Sequence, residues 1–160
     1  MKKILLTLLL FSSIFAQANR ILTIAPTAQV SSIGNVTLPM MNPARNLFIK
    51  DHFSFSRVNW MTNIVDDMSY NFINVDRGQY GLNVLFFNYG EQNQTDEFGI
   101  IQSQFTPLSA VYGFSVARKI SKYNLGLDVK LITHNLHTQK ANGFVLGVGG
   151  YFPLWLKLKN

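Results

Sequence analysis

The sequence predicts an all-β protein: an antiparallel up-and-down transmembrane β-barrel, of which it supplies the N-terminal part, preceded by a short plug-like segment. Three observations predict this. Apolar residues recur at every second position over runs long enough to cross an outer membrane. Beyond the leader, no stretch is long and apolar enough to cross as a helix. The connections between the runs alternate between short and long.

The chain opens on an export signature. Lys2 and Lys3 form a positive start, Ile4 to Phe15 an apolar core, and Ala16-Gln17-Ala18 the small-x-small pattern of signal-peptidase sites, so residues 1–18 read as a cleavable signal peptide. The apolar run is shorter than the roughly 20 residues of a spanning helix, and Ser12 and Ser13 interrupt it. The mature chain is expected to start near Asn19. Residues 19–51 form the plug-like segment: Ile21 to Ala44 neither alternates nor keeps a helical period, and it carries Pro26, Gly34, Pro39 and Pro43. A packed loop or short helix, in or under the lumen, is expected there.

Residues 52–160 carry the partial barrel, about six strands by their alternation. The first covers His52 to Trp60, but its apolar phase slips from Phe53 and Phe55 to Val58 and Trp60, which predicts a bulge near Arg57. Met68, Tyr70 and Phe72 then alternate with Ser69 and Asn71, and Tyr80, Leu82, Val84 and Phe86 with Gly81, Asn83 and Leu85. Leu108, Ala110, Tyr112, Phe114 and Val116 repeat the pattern. The clearest run places Tyr123, Leu125, Leu127, Val129 and Leu131 on one face and Asn124, Gly126, Asp128 and Lys130 on the other, and Phe144, Leu146 and Val148 follow. Four runs approach the roughly 9–11 residues of a tilted membrane strand, against about 5–6 in soluble proteins.

Loop order agrees with a periplasmic N-terminus: Val75 to Gly78 is tight, Gly90 to Thr106 long and polar, Arg118 to Lys122 short, and Asn135 to Ala141 longer again. Tyr80 and Tyr123 at one end, and Tyr89 and Phe144 at the other, fall where an interfacial girdle belongs. Gly81, Gly113, Gly126, Gly147 and Gly149 all share the polar face, where small residues relieve crowding inside a curved wall or let a plug approach.

Composition excludes several classes. With no cysteine there are no disulfides and no thiol or zinc-thiolate chemistry. The formal charge of +6 includes the two leader lysines, and the other basic residues are scattered rather than striped among aromatics, so no nucleic-acid partner is expected. His134 and His137 lie at a strand end and its loop with no carboxylate nearby in sequence, so no metal site is expected. Asp66 and Asp67 are adjacent and point opposite ways in a strand, unsuited to sharing a proton. Asp128 and Lys130 suit charge pairing across a wet lumen. Gly147, Gly149 and Gly150 precede no helix start or phosphate-binding lysine, and no nucleophile elbow is present. Neither enzyme activity nor a cofactor is expected.

Several segments carry a family likeness. The run Thr27-Ala28-Gln29-Val30-Ser31-Ser32-Ile33-Gly34-Asn35, followed by Asn42-Pro43-Ala44, resembles the opening of the PorV/PorQ family of outer-membrane proteins. Phe87-Asn88-Tyr89-Gly90-Glu91, Thr95-Asp96-Glu97-Phe98-Gly99 and Tyr112-Gly113-Phe114-Ser115-Val116-Ala117-Arg118-Lys119 resemble its middle, closer to the PorQ branch. The resemblance covers most of the mature chain. It implies a FadL-like barrel of about fourteen strands in the Gram-negative outer membrane. It also implies a part in type IX secretion or surface attachment, with secretion-system proteins, secreted cargo and outer-membrane lipid as partners.

The chain departs from the family in length. About six strands cannot close where the smallest single-chain barrels have about eight, so a truncated or frame-shifted family member is expected, with assembly from several chains as the alternative. Pro153 to Asn160 is a candidate seventh strand without a terminal aromatic. Two other functions stay open: a FadL-like transporter of hydrophobic solutes, and a soluble exported β-domain that binds a partner. Asn42, Pro43 and Ala44 are the candidate site residues, as the structural junction between the N-terminal segment and the wall.

Overall fold

The computed structural model describes Leu22, Thr27, residues 42–60, Asn63 and residues 67–151. The signal-peptide expectation, most of Ile21 to Ala44, Asp66 and the candidate seventh strand lie outside the described residues. A 3-10 helix, Pro43–Leu47, comes first, followed by β1 (His52–Asn59), β2 (Ser69–Arg77), β3 (Tyr80–Asn88), β4 (Gln92–Thr95), β5 (Ile101–Phe105), β6 (Leu108–Ile120), β7 (Tyr123–Leu136) and β8 (Gln139–Tyr151). The chain is all-β in class. Among the described residues no helix is long and apolar enough to cross a membrane, which says nothing of strands.

The main sheet has six strands in the order β1-β2-β3-β6-β7-β8, every pair antiparallel. It is an up-and-down meander interrupted once, where β4 and β5 form a separate two-stranded hairpin between β3 and β6. Within the described residues β1 and β8 each pair on one side only, so the sheet does not close.

The strands of the main sheet reach from 8 residues in β1 to 14 in β7. Alternation is what sets their length: each continues while its odd and even residues meet different environments. The register aligns these residues into rows across the sheet. On the inner face the first row is His52, Asp76, Gly81, Ser115, Asp128 and Gly147, and the second is Ser54, Asn74, Asn83, Gly113, Lys130 and Val145. The third row holds Phe72, Leu85, Val111 and Ile132, and the fourth Val58, Tyr70, Phe87, Ser109 and His134. The inner face is therefore polar at the end of the β2–β3 and β6–β7 turns and more apolar at the opposite end. Tyr70, Phe72, Leu85, Phe87, Val111 and Ile132 make its buried core, with Leu22, Met68, Tyr89 and Val145 packed against it.

The outer face is apolar and bare. Leu127 is 58 % exposed, Leu146 71 % and Val148 80 %, whereas inner-face Asn74 is 0 % and Asp76 1 %. Over its polar rows the sheet is inverted relative to a water-soluble one: the inward polar side chains are covered and the outward apolar ones are not. Aromatic pairs extend across the bare face, Tyr80 stacked on Phe114 at 6.2 Å and Phe86 edge-on to Tyr112 at 6.0 Å.

Four sequence expectations are corrected. β1 has no bulge at Arg57, since its pairing with β2 runs unbroken from His52 to Asn59. The apolar phase slips because the inner face itself turns apolar there, so Val58 points inward beside Tyr70 while Phe53 and Phe55 point outward. The connection expected from Asn135 to Ala141 is a turn of His137 and Thr138 alone, because the β7–β8 ladder continues to Leu136 and Gln139. Tyr89 belongs to no girdle: it packs 4.6 Å from Phe87 on the inner side, and its hydroxyl accepts a hydrogen bond from Ser109. Asp128 and Lys130 pair with each other on one strand rather than across the lumen.

The turns Gly78-Gln79, Ser121-Lys122 and His137-Thr138 close two-residue hairpins, each with positive φ at its first residue. That is the arrangement of a type II′ turn, whose twist matches that of the strands. Ser121 at φ 56° and His137 at φ 60° hold it without glycine. The β4–β5 hairpin is tied at its tip by Asp96, whose carboxylate accepts from the amides of Phe98 and Ile100 and the side chain of Gln102. These bonds, Ile100 first, hold the Asp96 carboxyl below the usual carboxylate range.

Candidate functional site

The polar end of the inner face gathers the candidate functional residues. Its construction repeats one device: a polar side chain leans over a glycine directly opposite it on the next strand. Asp76 leans over Gly81, Asn83 over Gly113 and Asp128 over Gly147. A methyl group at Gly81 would meet Asp76 Oδ1 at 2.9 Å, and one at Gly113 or Gly147 would overlap the Asn83 amide or the Asp128 carboxylate. Glycine is required here for close approach.

Gly126 and Gly149, also opposite one another, seat the 3-10 helix instead. A Cβ at Gly126 would overlap the backbone where Pro43 joins Ala44, and one at Gly149 would overlap the Asn42 side chain. Asn42 caps the helix, its Oδ1 accepting from the Ala44 amide at 3.1 Å, and Pro43 supplies a first position that needs no donor. The Asn42 amide also reaches the Gly150 carbonyl at 3.5 Å. The structure thus places Asn42, Pro43 and Ala44 on the inner face, against β7 and β8, with Ala44 fully buried. One turn on, Asn46 donates to Ser115 Oγ at 3.0 Å and to the Gln79 carbonyl at 3.3 Å, tying the helix to β6 and to the β2–β3 turn.

Charge on this face is sparse and paired. Lys130 and Asp128 form a buried ion pair two residues apart on β7. Asp76 accepts from the Asn74 amide and lies 3.8 Å from His52 Nδ1. Around it several oxygens are buried with no hydrogen-bond partner: Asp76 Oδ1, Asn74 Oδ1, Asn46 Oδ1, Ser54 Oγ and Asn83 Oδ1. Arg45 Nε, a donor on the 3-10 helix, is buried without a partner as well.

The residues weighed for chemistry in the sequence are separated by the fold. His134 shares a 2.6 Å contact with Ser109 directly opposite it, a cross-strand pair at the apolar end. His137 sits in the β7–β8 turn with its ring 4.5 Å from Phe105. Asp67 occupies a turn position at φ 65°. Among the described residues no three His, Cys, Asp or Glu side chains converge as a metal-ligand set.

Asn46, Asn74, Asp76 and Ser115 were not legible as site residues in the sequence. The available signal was the parity that puts Asn74, Asp76 and Ser115 on the face of the alternating glycines. No protein-family model, curated protein or solved structure matches this chain.

Proposed function

We propose that this chain is a non-enzymatic outer-membrane β-barrel protein of the PorV/PorQ type, exported by its N-terminal leader and acting in type IX protein secretion or surface attachment of secreted cargo. The observation that carries the membrane part is the inverted sheet. Phe53, Phe55, Leu82, Leu127, Phe144, Leu146 and Val148 share one bare face. In water each forgoes about 1.5–3 kcal/mol of burial, and soluble monomers leave only roughly a few hundred Å² of contiguous apolar surface bare. In lipid the same face is fully solvated.

The dimensions agree. The apolar run Tyr123 to Leu131 on β7 extends for about 27 Å at ~3.4 Å per residue. A tilt of about 40° reduces that to roughly 20 Å, close to the ~25 Å apolar band of such walls. Lys122 lies 5.4 Å over the Tyr123 ring at the short-turn end, the pairing of cation and aromatic that suits a headgroup boundary. The two open edges need further strands in lipid, where unpaired backbone groups cost several kcal/mol each.

The secretion role rests on the family likeness, with its Asn-Pro-Ala element seated on the wall. Fractionation tests the location: the mature protein is expected in detergent-extracted outer membranes, and recovery in the periplasmic supernatant without detergent would sink the barrel. Gene deletion tests the role, with loss of surface-attached cargo expected while hydrophobic solute uptake stays normal.

A second reading, a FadL-like transporter of hydrophobic solutes, is favoured by the apolar third and fourth rows of the inner face. Fatty-acid binding by the purified protein, with uptake lost and secretion intact on deletion, selects it over the first.

A further inference from the structure

Positive charge and apolar grooves meet at one end of the outer face. A groove of about 310 Å³ lies between the row of Phe114, Val129 and Leu146 and the row of Val116, Leu127 and Val148. A second, of about 370 Å³, continues it past Leu127 toward the β6–β7 turn and is lined there by Leu125, Ile120 and Arg118. From Val129 to Leu125 the two follow β7 for about 14 Å at ~3.4 Å per residue. Arg118 is exposed and, opposite Leu125, belongs to the outer face. Ile120 is paired with Tyr123, over whose ring the Lys122 ammonium lies at 5.4 Å, so a second cation stands at the same rim.

Neither cation has a counter-charge at hand. β6, β7, β8 and the turns between them carry one carboxylate, Asp128, and it lies on the inner face in the ion pair with Lys130. Among the described residues Arg118 and Lys122 form no salt bridge. The rim therefore suits an anion, and the grooves an apolar chain. We propose that the outer face at the β6–β7 turn binds one anionic glycerophospholipid, its phosphate between Arg118 and Lys122 and an acyl chain in the two grooves. The site rests on the membrane reading above, whose loop order sets this turn at the periplasmic leaflet, which is built of phospholipid. Arg118 offers a planar fork of donors that suits two phosphate oxygens, Lys122 a mobile point charge, and Tyr123 an amphipathic ring at headgroup depth. Each cation near an anionic headgroup favours it about 5-fold, so the two favour it roughly 30-fold over a zwitterionic lipid.

The test is native mass spectrometry of the full chain released from detergent, with dioleoyl phosphatidylglycerol or dioleoyl phosphatidylcholine added at matched concentrations. Wild type is expected to retain one phosphatidylglycerol per chain, at a concentration roughly 30-fold below that needed for phosphatidylcholine. Arg118→Gln and Lys122→Gln are each expected to lower the preference about 5-fold, and the double variant to abolish it. Both side chains are exposed, so these variants fold as wild type does. Lys140→Gln, at the far end of β8 from this turn, should leave the preference unchanged. Equal retention of the two lipids by wild type would overturn the site, as would an undiminished preference in the double variant or displacement of the lipid by equimolar inorganic phosphate. A chain that binds neither lipid and runs as a dimer would assign the face to a second copy and overturn it as well. Failure of the membrane reading looks different: it puts the protein in the periplasmic supernatant, whereas failure of the site alone leaves it in the outer membrane with no preferred lipid.

Discussion

The two faces of the sheet differ less in composition of the strands than in what each side chain must have around it. On the outer face Leu127, Leu131 and Phe144 need no specific neighbour, only an apolar surrounding. On the inner face Asp128, Lys130, Asn74 and Asp76 each need a particular partner, and Gly81 and Gly147 make room for the two carboxylates. The outer face therefore tolerates exchange among apolar residues and rejects charge, while the inner face is sensitive to single atoms.

The largest expected effect breaks the inner pair. Lys130→Met leaves Asp128 buried without its cation and is expected to cost roughly 3 kcal/mol, most of it regained in Asp128→Asn/Lys130→Met, as read by denaturant unfolding. Next comes the outer face. Leu127→Arg is expected to destabilise by about 2–4 kcal/mol in lipid vesicles. In a water-soluble sheet the same exchange at an exposed position stays within ~0.5 kcal/mol, so the measured value decides what covers that face. Gly126→Val drives a side chain into the seat of the 3-10 helix. It should cost about 1–3 kcal/mol and expose the Asn42–Leu47 segment to limited proteolysis, with little change in strand content by circular dichroism.

The turns give smaller changes of opposite sign. Ser121→Gly and His137→Gly relieve positive φ and are each expected to stabilise by roughly 0.5–1 kcal/mol in the same unfolding assay. The smallest is a pH effect confined to the β4–β5 tip. The Asp96 carboxyl is held below its ordinary value by the Ile100 amide first, so its bonds are fully present above the unfolded pKa and are lost as pH falls through the lowered folded one. Amide exchange at Phe98 and Ile100 should accelerate in that acidic window, while exchange along β6 and β7 stays slow. Unchanged exchange at both amides would remove Asp96 as the clasp.

Much of this fold was legible because a strand's period of two is local. The run Tyr123 to Leu131 and the glycines at 81, 113, 126, 147 and 149 declared their faces without any knowledge of neighbours. Where the reading failed, a neighbour decided. Val58 looked like the trace of a bulge because its sequence does not show that Tyr70 across the sheet has turned the inner face apolar. The Asn135 to Ala141 stretch looked like a loop because its residues are polar, yet the ladder continues through it. Tyr89 carries the composition of a girdle residue, and only Ser109, twenty residues on, explains why it turns inward.

By itself the sequence determined the six strands of the main sheet, their two faces and the glycine rows, because alternation requires only that one side of a strand differ from the other; the β4–β5 hairpin, read as a polar loop, it did not. The tertiary structure decided which side is covered, that Asp128 takes Lys130 as its partner, and that Asn42, Pro43 and Ala44 rest on Gly126 and Gly149. It also decided that Asn46 meets Ser115 beside the unpaired Oδ1 of Asp76. Those outcomes depend on atoms brought within hydrogen-bond reach by cross-strand register, over separations of up to 108 residues that no local period encodes.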